Sequence, residues 1–141
     1  MKIYLATPLD KDKRESMTTA ACYLRNIGFD VYVPAEHQIP NAWDYPNTEW
    51  GLMVFQADVD AINSADVVVM LSYGRHSPAG SNWEAGYAFG IGKKVIVVEM
   101  NDDVMSLMVA NGRYATVKGL DGLTHYDWNE MPKSRTETEQ K

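Results

Sequence analysis

The sequence is poor in the residues that cross-link, anchor or metallate a fold. It contains one cysteine, Cys22, so no disulfide can form within the chain. A lone thiol suits a reducing compartment, and in its helix-like setting Cys22 reads as a small apolar core residue. Histidine is scarce as well. His37, His76 and His125 are scattered, and neither HExxH nor CxxC spacing occurs, so no metal site is expected. No apolar run approaches the roughly 20 residues of a membrane helix, so no membrane partner is expected. The opening Met-Lys-Ile-Tyr-Leu-Ala turns polar within a dozen residues and reads as a strand rather than a secretion signal, which points to the cytoplasm. Basic residues are in the minority, 13 against 19 acidic, for a net charge of -6. That balance disfavours a nucleic-acid polymer as partner, because phosphate backbones call for a basic stripe. It leaves room for a small nucleotide pocket. The phosphate-cradling GxxxxGK[ST], the dinucleotide fingerprint GxGxxG and the serine elbow GxSxG are all missing, so no cofactor is expected.

What is present is one alternating pattern. The 141 residues, 45% of them apolar, suffice for a single globular domain. Short apolar runs at 2–6, 30–33, 66–72, 94–99 and 114–117 read as five strands. The run at 66–72 is continuously apolar and β-branched, as a strand covered on both faces should be. Helices fit between them: 10–26, stopped by Gly28; 48–64, with Thr48 as N-cap; 81–92; and a short one within 102–111. Alternation of this kind predicts an α/β fold: one doubly wound, flavodoxin-like or Rossmann-like domain with a five-stranded, mostly parallel sheet and helices on both faces. Ligands in such folds bind at the carboxyl ends of the strands. The loops TPLDKDKR, PAEHQIPNAW and YGRHSPAGSNWE should therefore line the site.

The strongest local signal is GSNWEAGYA at 80–88. Gly80 would let a ligand approach the backbone. Ser81 and the free amides of a new helix would form a polar cradle. Glu84 lies one turn in. Two readings of Glu84 stand side by side. Ser81-x-x-Glu84 is a capping box, with the glutamate satisfying a backbone amide. The other is a carboxylate placed at a ligand edge; on the tetrapeptide alone, capping is the stronger of the two. A second carboxylate, Asp58, sits among the apolar positions of the 48–64 helix, where it is either a solvated face or a partner for Glu84. Cleaving a glycosidic bond with retention takes two carboxyl groups.

Taken together, KIYLATPL, VPAEHQIP, ADVDAINSADVVV, GSNWEAGYAFGIGKKVIVV and the SLM at 106–108 make the chain resemble the nucleoside 2-deoxyribosyltransferase family over roughly residues 2–128. The resemblance implies a catalytic domain at 1–130, and the polar, charged residues 131–141 read as a tail. It implies Glu84 as nucleophile, Asp58 as the acid that holds the base, and Tyr4 as the group orienting the nucleophile, with Gln38 in the base pocket. The implied substrates are a deoxynucleoside and a free nucleobase. The implied assembly is a homo-oligomer, dimer or hexamer, in which Ser106 and Met108 of a neighbouring subunit complete the pocket.

Two positions depart from the family pattern. Pro78 stands where the family often has a base-contacting aspartate. Ser106 stands where transferases usually have asparagine. Serine there resembles a related branch, the deoxynucleoside 5'-monophosphate N-glycosidases, in which water is the acceptor. In that alternative Ser77, Ser81 and Ser106 would join Lys11, Lys13, Arg14 and Arg75 around a phosphate, although the three cations at 11–14 read equally well as a solvated first turn. A nucleotide-binding module without turnover is the third reading.

Overall fold

The computed structural model describes residues 1–130, and the tail expected at 131–141 lies outside them. Five strands form one sheet in the order β2-β1-β3-β4-β5. They are β1 (Lys2–Ala6), β2 (Asp30–Tyr32), β3 (Val67–Ser72), β4 (Lys94–Glu99) and β5 (Ala115–Lys118). Every pairing is parallel. This is the flavodoxin-like order, and its topological switch point falls between β1 and β3.

Alternation along the strands divides the core in two. Ile3, Leu5, Val67, Val69 and Leu71 face one layer, with Met17, Ala20, Ala21 and Leu24 of α1 (Arg14–Asn26) and Leu123 of α5 (Gly119–Thr124). Tyr4, Ala6, Val68 and Met70 face the other, with Ile62 of α2 (Asn47–Ser64), Ala85 and Ala88 of α3 (Ala79–Gly90) and Val109 of α4 (Leu107–Gly112). All six residues of β3 are buried. Each fully buried Leu or Ile stabilises the fold by about 1.5–3 kcal/mol.

Helix α1 ends as its glycine requires. Gly28 has φ of 100°, its amide bonds Arg25 O, and the amide of Phe29 bonds Leu24 O. This is a Schellman closure, which needs a left-handed residue.

The structure corrects several boundaries. Helix α2 starts at Asn47, directly after Pro46, so Thr48 is not its cap. Helix α3 starts at Ala79, directly after Pro78. In both cases proline at φ of -57° or -67° carries an extended chain into the helix, and no side chain caps it. A short helix, α5, follows β5, where the sequence pattern predicts none. Cys22 is exposed, not buried. The apolar face of α1 runs through positions 17, 20, 21 and 24, which turns position 22 outward. No helix among the described residues is long and apolar enough to cross a membrane.

Candidate active site

The site begins with a tyrosine that a strand would ordinarily bury without further use. Tyr4 lies in β1 and is fully buried beneath α2 and α3. Its hydroxyl donates to Oε2 of Glu84, eighty residues away in sequence. Glu84 is the sixth residue of α3, in its second turn. The capping-box reading is therefore excluded. Ser81 lies inside the helix rather than at its cap, and the Glu84 carboxyl turns to Tyr4 instead of a backbone amide. Ser81 is itself buried, and its Oγ has no hydrogen-bond partner among the described residues.

Asp58 joins this pair from α2. Trp50, Gly51, Val54, Phe55 and Asp58 recur at helical spacing, so they share one face. That face and Gly80, Trp83 and Glu84 of α3 enclose a cleft of about 430 Å³. Aromatic rings form its walls. Phe55 meets Trp83 edge to face at 5.4 Å, and Trp83 stacks on Tyr87 at 5.3 Å. A cleft lined by aromatic side chains and two carboxyl groups can hold a planar heterocycle and exchange protons with it.

Electrostatics follow from that burial. Loss of water pushes the Glu84 carboxyl up to about 7; the nearby Asp58 charge adds to the shift, and the Tyr4 hydroxyl opposes it. Burial also raises Asp58, with His37 opposing. The Tyr4 phenol is raised far above its ordinary value, first by burial and then by Glu84, so it stays protonated and donates. Two neighbouring carboxyl groups that both lose water and are both shifted upward are a frequent mark of catalytic sites.

A ring stack supports the site from behind. Tyr32 pairs in register with Tyr4 across β1 and β2, and the rings stack at 5.6 Å and 13°. His37 stacks on Tyr32 at 4.1 Å and 4°. Sequence reasoning missed Tyr32, His37 and the aromatic walls. The recurrence of Trp50, Val54, Phe55 and Asp58 along one helix was the signal available for the walls.

The other expected residues do not all gather here. Gly80 lines the cleft, and a Cβ added to it would meet nothing within 4 Å. Gln38 is exposed in the loop after β2 and is not among the lining residues. Ser77 Oγ accepts from the Tyr73 amide at 2.8 Å, closing a turn. Ser106 caps α4 by accepting from the Met108 amide at 3.2 Å. Ser106 and Met108 line a different cavity, of about 420 Å³, against Asn82, Ala85 and Gly86 on another face of α3. Leu107 and Met108 project from the surface, 79% and 83% exposed. Lys13 pairs with Asp10 at 3.2 Å and lies over the Tyr73 ring, and Arg75 pairs with Asp103 at 3.0 Å. Among the described residues, none of the cations at 11, 13, 14 and 75 lines the cleft. No group of three or more His, Cys, Asp or Glu among them could hold a metal ion.

The chain matches a family model described as nucleoside 2-deoxyribosyltransferase over residues 3–129. Among solved structures it is similar to a 2-deoxyribosyltransferase of Bacillus psychrosaccharolyticus, with 27% identity and a TM-score of 0.85 over 94% of this chain and 96% of the other. A conserved protein of Enterococcus faecalis V583 shares the fold at 19% identity and a TM-score of 0.71, covering 88% of this chain and 94% of the other. The Clostridium botulinum CMP N-glycosidase BcmB shares it at 16% and 0.62, covering 84% and 88%. No curated protein matches the sequence.

Proposed function

The chain belongs to the nucleoside 2-deoxyribosyltransferase family, and from that premise we propose that it exchanges the base of 2'-deoxynucleosides through a covalent deoxyribosyl-Glu84 intermediate. The observation that carries this reading is the Tyr4–Glu84 hydrogen bond at the head of an aromatic-walled cleft that also holds Asp58.

The steps follow from those groups. The substrate base lies in the cleft between α2 and α3, against the aromatic lining of Trp50, Phe55 and Trp83. The Glu84 carboxylate, oriented by Tyr4, attacks the anomeric carbon, and the C–N bond breaks as the C–O bond forms. Expelling an anionic base is difficult, and Asp58 eases it by giving a proton to a ring nitrogen. A free acceptor base then enters the vacated cleft and loses its proton to Asp58. It attacks the same carbon from the side the first base left, and Glu84 is released. Two displacements at one carbon retain its configuration.

A neighbouring copy of the chain completes the pocket in this account. Ser106 and Met108 lie too far round α3 to line their own cleft, and the exposed Leu107 and Met108 suit burial against a second copy. A dimer is the smallest assembly that provides this.

Hydrolysis of deoxynucleoside 5'-monophosphates, with water as acceptor, is the second reading. Serine at 106 and proline at 78, the two departures from the transferase pattern, favour it. The lack of any cation among the described lining residues disfavours it. One chromatographic experiment separates the two. Thymidine or deoxyinosine is incubated with free adenine, and a panel of deoxynucleoside 5'-monophosphates is incubated without acceptor. New deoxyadenosine in the first mixture supports base exchange. Free base released only in the second would replace that reading with hydrolysis.

A further inference from the structure

The nucleophile's helix begins from a short loop, residues 73–78, whose densest tie to a second loop is one carboxylate. Asp103 lies between β4 and α4, and its side chain is only 17% exposed. Its Oδ2 accepts the backbone amide of Arg75 at 3.1 Å, and its Oδ1 accepts the Arg75 guanidinium Nε at 3.0 Å. The same Oδ1 accepts the amide of Val104 at 2.8 Å. Asn101 strengthens the link by donating from Nδ2 to Tyr73 O at 3.2 Å, and the Met100 amide bonds Ser72 O at 2.9 Å.

The two loops touch so closely that only glycine fits at the contact. Gly74 has φ of 63°, and a Cβ built on it would lie 2.6 Å from the Asp103 Cβ and 3.0 Å from its backbone carbonyl carbon. Within the first loop, Ser77 Oγ holds the Tyr73 amide, and the Ser77 amide bonds Gly74 O. The segment thus passes rigidly from the Asp103 contact to Pro78 and the first turn of α3, where Gly80 lines the cleft.

We propose that Asp103 is a positioning residue for base exchange: by clasping the backbone and guanidinium of Arg75, it fixes where α3 starts and so holds Glu84 against Tyr4. The carboxylate touches no reacting atom in this account. It acts through the loop, and it also anchors the segment that leads to Ser106. A helix start that slides by a fraction of an ångström moves the Glu84 carboxyl relative to both the Tyr4 hydroxyl and the anomeric carbon, and such small displacements lower rates strongly. The clasp also gives the Arg75 charge a use other than phosphate binding.

The inference rests on Glu84 being the nucleophile, and its test carries a control for that. Asp103→Ala removes the clasp from one side. Gly74→Ala forces the loops apart from the other while leaving every clasping side chain in place. Turnover of a deoxynucleoside with a free acceptor base is measured against pH for both, alongside Asp103→Asn and Glu84→Ala. Both alanine variants should lose about tenfold or more in kcat. Their acidic limb should also move above that of the native enzyme, because a Glu84 freed from Tyr4 loses the bond that favours its ionised form. The groups facing Glu84 are Tyr4 from β1 and Asp58 from α2, and neither is altered. Asp103→Asn, which keeps an acceptor for Arg75, should recover part of the loss. If Asp103→Ala fails to fold, Gly74→Ala decides the matter alone. Native kcat in the folded variants overturns the proposal, and so does a lower kcat with an unmoved limb, which would mark a merely structural contact. Substantial turnover by Glu84→Ala would instead remove the reading of the nucleophile itself.

Discussion

Replacing Glu84 by glutamine should stabilise the protein, and by an amount that depends on pH. The carboxyl is half-buried in the cleft between α2 and α3, against Tyr4 of β1, and loss of water raises its pKa from 4.5 to about 7. At about 1.4 kcal/mol for each factor of ten in proton affinity, that rise corresponds to roughly 3.5 kcal/mol between its protonated and ionised forms. The sign follows from the direction. The folded state binds the proton more tightly than the unfolded chain, so the full benefit is present below pH 4.5 and is lost as pH rises to about 7. Glutamine is isosteric, uncharged and able to accept from Tyr4. Relative to Glu84→Gln, the native protein should be about equal in stability at pH 4. It should be on the order of 3.5 kcal/mol less stable at pH 8. Urea unfolding of both proteins at four pH values, at one fixed protein concentration, isolates the difference from all other titrations. A gap that stays constant across this range, or that narrows as pH rises, would refute the claim that Glu84 is held desolvated. The variant should also be inactive in base exchange. In the proposed mechanism, the cost of a partly desolvated carboxylate is the stability lost to holding Glu84 ready for attack.

Further outcomes follow from the same geometry. Tyr4→Phe removes the hydroxyl that favours ionised Glu84, so kcat/KM should fall by about 10- to 100-fold and its acidic limb should move above pH 7 in a pH–rate profile. Asp58→Asn should lower kcat by about 10²- to 10⁴-fold. Because the Asp58 charge raises Glu84, the same variant should move the acidic limb the opposite way, below pH 7, and the paired shifts would distinguish the two residues' roles. Leu24→Ala, at a fully buried position of α1, should cost about 2–5 kcal/mol in urea unfolding and leave KM unchanged in the folded enzyme. Leu107→Asp combined with Met108→Asp should shift the protein to monomer in gel filtration and abolish exchange if a neighbouring copy completes the pocket.

The fold was legible because burial on two faces leaves a strong trace. The unbroken apolar runs of β3 and β4 admit little but central parallel strands, and Gly28 marks the end of α1 because only a left-handed residue closes it. Helix starts were less legible. Thr48 and Ser81 are good capping residues, yet Pro46 and Pro78 already set the backbone that enters each helix, so the helices begin earlier and no capping side chain is used. Short α5 contains two glycines and has little periodicity to read. The site itself is a long-range object. Tyr4 and Glu84 are brought together by β1 and β3 lying side by side, which no local pattern encodes, and their pairing was visible only through the family resemblance. The aromatic stack of Tyr4, Tyr32 and His37 depends on strand register in the same way.

The central claim is a covalent bond between Glu84 and a deoxyribosyl group. The native enzyme should be mixed with a deoxynucleoside in the absence of any acceptor base, quenched within seconds in acid, and analysed by intact-mass and peptide-mapping spectrometry. The account predicts a population heavier by one deoxyribosyl group. The added mass should map to the peptide carrying Glu84 and disappear when free adenine is added before quenching. A fully unmodified enzyme that nonetheless exchanges bases under the same conditions, or a modification that maps to another residue, would contradict it.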